Sequence, residues 1–221
     1  MTAKSNRLIY ALGSLLSMIL CWWLFCLRIV GRRHVPMQGS LLIIANHQSF
    51  LDPVIVGLAV KRQVCYLARK SLFKNRLLGW LMHRLGTIPL DQEGNATEGM
   101  KTSLQLLRRG EAVVLFPEGS RTPHGRMQPL KSGVVLLLRK AKVPVLPVGI
   151  AGAYQALPIW RKYPHVAPLG WPGLDAGIAA VIGPVIPCDK LLNMPTEAML
   201  TYLGSVLDDL RQQADKIRKK A

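Results

Sequence analysis

The heptapeptide Asn46-His47-Gln48-Ser49-Phe50-Leu51-Asp52 holds the first residues whose types and spacing suit chemistry. It follows the continuous apolar run LLIIA at 41–45, which reads as a short buried strand. Asp52-Pro53 reads as the start of a helix, with aspartate at the N-cap and proline at the first helical position. A strand-to-helix turn can fold His47 back so that Asp52 meets one ring nitrogen. The carboxylate then fixes the tautomer, and the other nitrogen is oriented as a general base. The plain alternative is that Asp52 only caps its helix while His47 sits in a loop. The two roles are compatible, since one carboxylate can cap and orient.

A second constellation, Phe116-Pro117-Glu118-Gly119-Ser120-Arg121-Thr122, leaves the apolar run 111–116. Ligands in open α/β sheets bind at the carboxyl ends of strands, so this loop and the His47 turn are expected to converge. Gly119 permits a tight turn or close substrate approach, and Arg121 can grip a phosphate with two parallel hydrogen bonds. Glu118 suits either positioning an acceptor or supporting the loop. An ordinary polar loop, with Glu118 and Arg121 paired to each other, is the alternative. A third stretch, Lys131-Ser132-Gly133, approaches a phosphate-binding loop, with Gly125 six residues before Lys131. Leu130 fills the position of the second glycine and no strand leads into Gly125, so that motif is excluded. Lys131 remains as an anion contact or a solvated surface lysine. There is no H-E-x-x-H, G-x-S-x-G or G-x-G-x-x-G. The histidines at 34, 47, 83, 124 and 165 are scattered and the four cysteines form no C-x-x-C pair, so no metal site is expected.

Strands are expected at 41–45, 64–68, 87–90, 111–116, 143–150 and 177–183, the fifth interrupted by prolines. Helices are expected from Asp52 onward and over 72–85, 95–109, 132–141 and 195–218, with a long loop rich in proline, glycine and aromatics at 154–174. This alternation predicts an α/β fold whose largely parallel or mixed central sheet is flanked by helices. Ahead of it, Leu8 to Leu27 is an uncharged run, long enough as a helix (about 30 Å) to match a hydrocarbon core. It is too long for the apolar core of a usual signal peptide and no A-x-A site follows, so a retained N-terminal membrane anchor is expected, spanning or folded back at Gly13-Ser14. The division is therefore 1–35 as anchor and 36–221 as one α/β domain.

Composition agrees with that division. The chain has 221 residues, 50% hydrophobic and 19% charged, which excludes a disordered chain. Its net charge of +17 is uneven: residues 1–90 carry 12 Lys/Arg against one acid, Asp52. The basic excess lies where the chain is most apolar, which favours an anionic membrane surface over nucleic acid. Cysteines this sparse are expected as reduced thiols facing a cytosol. Residues 72–85 carry an apolar stripe with a basic rim that suits either an interfacial helix or packing on the sheet. The 154–172 loop, with Tyr154, Trp160, Arg161, Lys162, Tyr163 and Trp171, is a further candidate for lipid contact.

Taken jointly, NHQSFLD, FPEGSRT and VPVLPV, with LKSG at 130–133 between the last two, resemble the successive blocks of the glycerolipid acyltransferase family, over roughly residues 40–155. The resemblance implies transfer of a fatty acyl group from acyl-CoA or acyl carrier protein to the free hydroxyl of a lysophospholipid. With 1-acyl-glycerol-3-phosphate as acceptor the product is phosphatidic acid. It implies His47 and Asp52 as catalytic residues, and Glu118, Gly119, Arg121 and Lys131 as substrate contacts. It implies no cofactor or metal beyond the thioester donor, a membrane and an acyl carrier protein as partners, no nucleic acid, and an active domain on the cytoplasmic face of the cell membrane. One block departs. The family pattern G-x-I-x-x-D-R is met by Gly86-Thr87-Ile88-Pro89-Leu90-Asp91-Gln92, with Gln92 where an arginine associated with the acceptor phosphate is usual. A different lysolipid or an acylated amino acid lipid thus stays open as acceptor. Outside enzymes, a non-catalytic protein binding anionic lipid or nucleic acid would suit the charge, but it explains neither NHQSFLD nor FPEGSRT.

Overall fold

A computed structural model of the chain describes residues 19, 21–69, 87–90, 96–161, 163–165 and 177–219. In chain order these form β1 (Arg28–Val30), β2 (Leu41–Ala45), α1 (Asp52–Val60), β3 (Tyr66–Arg69), β4 (Thr87–Leu90), α2 (Ala96–Arg108) and β5 (Ala112–Leu115). They continue with α3 (Gly133–Ala141), β6 (Val145–Ala151), α4 (Ala153–Ala156), β7 (Ala179–Ile182), α5 (Cys188–Leu192) and α6 (Thr196–Arg218). The central sheet has the order β1-β7-β6-β2-β5. A parallel bridge from Cys65 to Val113 brings the parallel pair β3-β4 alongside β5.

The sheet is mixed. β2 runs parallel to both β5 and β6, while β6 and β7 are antiparallel. Every residue of β2 is buried, as an apolar run with a packed layer on each face requires. Alternation along the strand divides the core. Leu41, Ile43 and Ala45 join Ile55, Val56 and Ala59 of α1 in one layer. Leu42 and Ile44 join Leu137 and Leu138 of α3 and Leu203 and Leu207 of α6 in the other. Since β2 and β5 are parallel neighbours, the segments leaving their carboxyl ends emerge side by side, and these are the His47 turn and the Glu118 loop.

Several expectations change. β6 is one continuous strand through Pro147, not an interrupted one. Pro147 O accepts from Gly183 N at 2.9 Å just past the end of β7, and Val145 and Ile186 exchange both bonds beyond it, so the missing proline N–H costs one bond at the edge of the β6–β7 register. α4 opens the segment expected as loop from 154, and α5 precedes the terminal helix without having been anticipated. The helix expected over 72–85 and the block residues Gly86, Asp91 and Gln92 lie outside the described residues.

The boundary of the expected N-terminal anchor also shifts. Most of Leu8–Leu27 lies outside the described residues, and among those described no helix is long and apolar enough to cross a membrane. The helical turn over 21–25 ends before Leu27, Cys26 takes φ 46°, and the chain enters β1, which pairs with β7. Phe25 and Leu27 are buried in the domain core. The sheet therefore begins at Arg28, within the 1–35 stretch assigned to the anchor.

α6 lies directly on β6, and Gly149 is what allows it: a Cβ there would run into the backbone of Leu210 and Arg211. Backbone cannot rotate aside as a side chain can. Gly149→Ala is expected to lower stability by about 3 kcal/mol, the upper part of the overpacking range, read as a reduced urea midpoint at unchanged slope.

Candidate active site

The turn between β2 and α1 is organised around one buried carboxylate. Asp52 is the first residue of α1 and is fully buried. Instead of capping its own helix, as expected, its side chain turns back into the turn. Oδ2 accepts hydrogen bonds from His47 Nδ1 (2.8 Å), Gln48 N (2.5 Å) and Ser49 N (2.7 Å). An oxygen already accepting from two backbone amides carries no proton itself, so the shared hydrogen sits on His47 Nδ1. Nε2 then carries the lone pair in the neutral ring, and no described residue is hydrogen-bonded to it. Phe116, the residue leaving β5, stacks on the imidazole with centroids 4.1 Å apart and planes 19° from parallel. The His47 side chain keeps 18% exposure, so the ring is held on one face and open at its edge.

Burial pushes the Asp52 carboxyl above the usual aspartate range, while the His47 and backbone hydrogen bonds pull against that shift. Asp52 Oδ1 is buried with no hydrogen-bond partner among the described residues.

The second loop is tied to the first by main-chain bonds. Glu118 Oε1 accepts from His47 N at 2.7 Å, and Thr122 N donates to His47 O at 3.0 Å. Glu118 Oε2 accepts from Gln128 N at 2.7 Å. Glu118 is only 1% exposed, and burial raises its pKa against the pull of the Gln128 and His47 amides. Both of its oxygens are thus committed to backbone amides from two segments. These bonds tie the main chain of His47 and of Gln128 to the Glu118 loop.

Gly119 takes φ +75°, and a Cβ there would lie 2.7 Å from Lys131 Nζ. The glycine is needed both for the left-handed turn and for the lysine that lies across it. Lys131 N also donates to Pro117 O at 2.9 Å, so the exposed lysine is anchored at its main chain beside the loop. The Arg121 guanidinium lies over the Phe50 ring at 3.3 Å from its centroid. His47, Asp52, Glu118, Gly119, Arg121 and Lys131 are therefore carried on two segments stitched together at the carboxyl ends of β2 and β5.

Four contributors were not singled out on sequence. Phe116 and Phe50 sit inside the two quoted motifs, but nothing in their spacing distinguishes a stacking ring from a core residue. Asn46 bonds Ile150 through both ends of its amide, joining the turn to β6 (3.0 and 2.7 Å). Gln128 acts through its backbone N–H, which no residue type can signal.

A family model described as Acyltransferase matches residues 26–151. Among curated relatives, the 1-acyl-sn-glycerol-3-phosphate acyltransferase of Bacillus subtilis (strain 168) is 27% identical over 187 residues, covering 83% of this chain and 90% of that protein. The protein of the same name from Streptococcus pneumoniae is 29% identical over 160 residues, 68% of this chain and 57% of its own length. Among solved structures, the 1-acyl-sn-glycerophosphate (LPA) acyltransferase PlsC from Thermotoga maritima superposes with a TM-score of 0.67 at 23% identity. That match covers 85% of this chain and 71% of the other. At that identity the match concerns the fold alone: a mixed central sheet flanked by helices.

Proposed function

Since the chain belongs to the acyltransferase family, we propose that it transfers a fatty acyl group from a thioester, acyl-CoA or acyl carrier protein, to the free hydroxyl of 1-acyl-glycerol-3-phosphate, giving phosphatidic acid. The observation that carries the reading is the 2.8 Å hydrogen bond from His47 Nδ1 to buried Asp52, with Nε2 left for the acceptor. An alcohol is a weak nucleophile near neutral pH, and a positioned base raises its reactivity by typically about 10²–10⁴-fold.

His47 Nε2 takes the hydroxyl proton as the oxygen attacks the thioester carbonyl. The carbon–oxygen bond forms, and the carbonyl electrons move onto oxygen. Collapse of this tetrahedral species breaks the carbon–sulfur bond. The thiolate leaves and takes the proton from Nε2, which returns the imidazole to its starting form. Asp52 stabilises the imidazolium that exists between the two transfers. No acyl-enzyme is needed, because the thioester is already activated.

Arg121 and Lys131 are the proposed contacts for the acceptor phosphate. Arg121→Ala is expected to raise KM for lysophosphatidate by about 10–100-fold with a smaller change in kcat, since a charge-assisted pair is worth about 1.5–3 kcal/mol. An acceptor panel scored by thiol release from acyl-CoA tests the reading. Release that depends on lysophosphatidate supports it, and release only with an acylated amino acid lipid transfers the site to that acceptor, which Gln92 keeps as the second arm. Thiol release with neither removes the enzymatic reading. The part of the apolar run that precedes Cys21, from Leu8 on, is proposed as the membrane anchor, since Cys21, Phe25 and Leu27 are taken into the domain core. The α/β domain would then lie on the cytoplasmic face, so that the acceptor reaches His47 from the bilayer.

A further inference from the structure

The rim of the site is built from three segments that hydrogen bonds hold together. Ser49 Oγ donates to Leu157 O at 2.7 Å, joining the His47 turn to the chain after α4. Tyr154 OH donates to Pro123 O at 2.9 Å, joining α4 to the Arg121 loop. Gln48 Nε2 donates to Gly125 O at 3.3 Å, joining that loop back to the turn. Around this closed circuit, large apolar side chains stand outward: Phe50 is 47% exposed, Ile159 42%, Trp160 67% and Tyr163 70%. A folded domain ordinarily hides such rings unless something covers them.

The charge around them is of one sign. Over the rim segments 119–131 and 154–165 the charged residues are Arg121, Arg126, Lys131, Arg161 and Lys162, with no Asp or Glu. Arg161 lies 5.3 Å from the Trp160 ring, and Arg126 is exposed on the loop between Pro123 and Gln128. Rings beside cations, with acids absent, match the headgroup layer of an anionic leaflet. There Trp and Tyr sit at the interface while Lys and Arg meet lipid phosphates.

We propose that this rim, led by Trp160 and Tyr163, is a membrane-contact surface of its own, separate in sequence from the N-terminal apolar run. It seats the mouth of the site on an anionic bilayer. The surface rests on the acyltransfer reading only in that a lipid-borne acceptor must travel from the leaflet to His47.

The test uses the full chain on vesicles of phosphatidylglycerol and phosphatidylethanolamine, with and without bromine on the acyl chains. The emission of Trp160 is the difference between wild type and Trp160→Phe. Quenching of most of that difference by the brominated lipids is the expected result, and an unquenched difference overturns the proposal. A Trp160→Ser, Tyr163→Ser double variant is expected to raise KM for long-chain lysophosphatidate in the same vesicles roughly tenfold. Its kcat/KM on a short-chain acceptor dispersed as monomers should stay unchanged. A raised KM for acyl carrier protein without lipid quenching assigns the rim to a protein donor and also overturns the proposal. Quenching with no activity on either acceptor leaves the rim standing and removes the acyltransfer reading.

Discussion

Alanine in place of His47 is expected to lower turnover by about 10²–10⁴-fold in protein that still unfolds cooperatively close to the wild-type midpoint. The two halves of that expectation have separate structural causes. Activity depends on the ring, whose Nε2 has no other task among the described residues. The ties between the two loops depend on the backbone, through His47 N to Glu118 and Thr122 N to His47 O, and alanine keeps both. Asp52 loses one of three donors but keeps the amides of Gln48 and Ser49. The lost hydrogen bond and the lost stack on Phe116 together cost on the order of 1 kcal/mol. Single-turnover thiol release and urea unfolding on the same preparation separate the two effects. Normal turnover in a well-folded variant would falsify general-base catalysis by His47.

How much of this site was readable beforehand depends on which atoms do the work. For the His47–Asp52 pair, residue type and spacing were enough. A histidine just after a buried strand and an aspartate five residues on imply a turn short enough to join them, and the 2.8 Å bond has that geometry. The strands at 41–45 and 111–116 are likewise legible as largely apolar runs, and the alternation of strands and helices implies a largely parallel sheet, while the pairing of β2 with β5 appears only in the structure. Where backbone acts, the sequence was silent. Glu118 suits acceptor positioning or loop support equally on sequence, with Arg121 as the one partner in view, because its side chain is all that can be read. Its true partners are amides of His47 and Gln128, which any residue could supply. Asp52 was expected to cap α1 for the same reason: Asp-Pro is a common helix start, and nothing local reports that Gln48 N and Ser49 N offer the carboxylate a better cradle. Pro147 shows the converse error. A proline argues against a sheet interior unless the bonds on either side of its nitrogen are made, and here they come from Gly183 and Ile186, some forty residues away. The apolar N-terminal run was read by length alone, whereas its last residues, Phe25 and Leu27, are spent on the core of the domain.

Asp52→Asn is expected to keep the fold and lose most of the rate. The two backbone amides that point at Oδ2 require an acceptor there, so the asparagine carbonyl takes that place and its NH₂ occupies the position of Oδ1, which has no partner to lose. The carbonyl still accepts from His47 Nδ1–H, so the tautomer survives. What disappears is the negative charge beside a ring that must become imidazolium in the transition state. At an effective dielectric near 20, a unit charge about 4 Å away is worth about 4 kcal/mol, and a fall in kcat on the order of 10²–10³-fold is expected. Stability should move the other way with pH. Burial raises the Asp52 pKa in the folded protein, so between the ordinary carboxylate range and that raised value the folded state holds a proton the unfolded chain has released. The wild type therefore loses stability as pH rises through that window and stays lower above it. Asparagine has no proton to release, so the variant's stability curve should descend less steeply with pH, with Glu118, also raised by burial, supplying the slope that remains. Urea titrations from acid to neutral pH on both proteins measure this directly, and parallel curves would show that ionised Asp52 carries no burial cost. Asp52→Ala is the contrasting control. It leaves the His47, Gln48 and Ser49 donors facing a cavity, at about 1–3 kcal/mol for each unsatisfied group, and should fail by unfolding where asparagine fails only in catalysis.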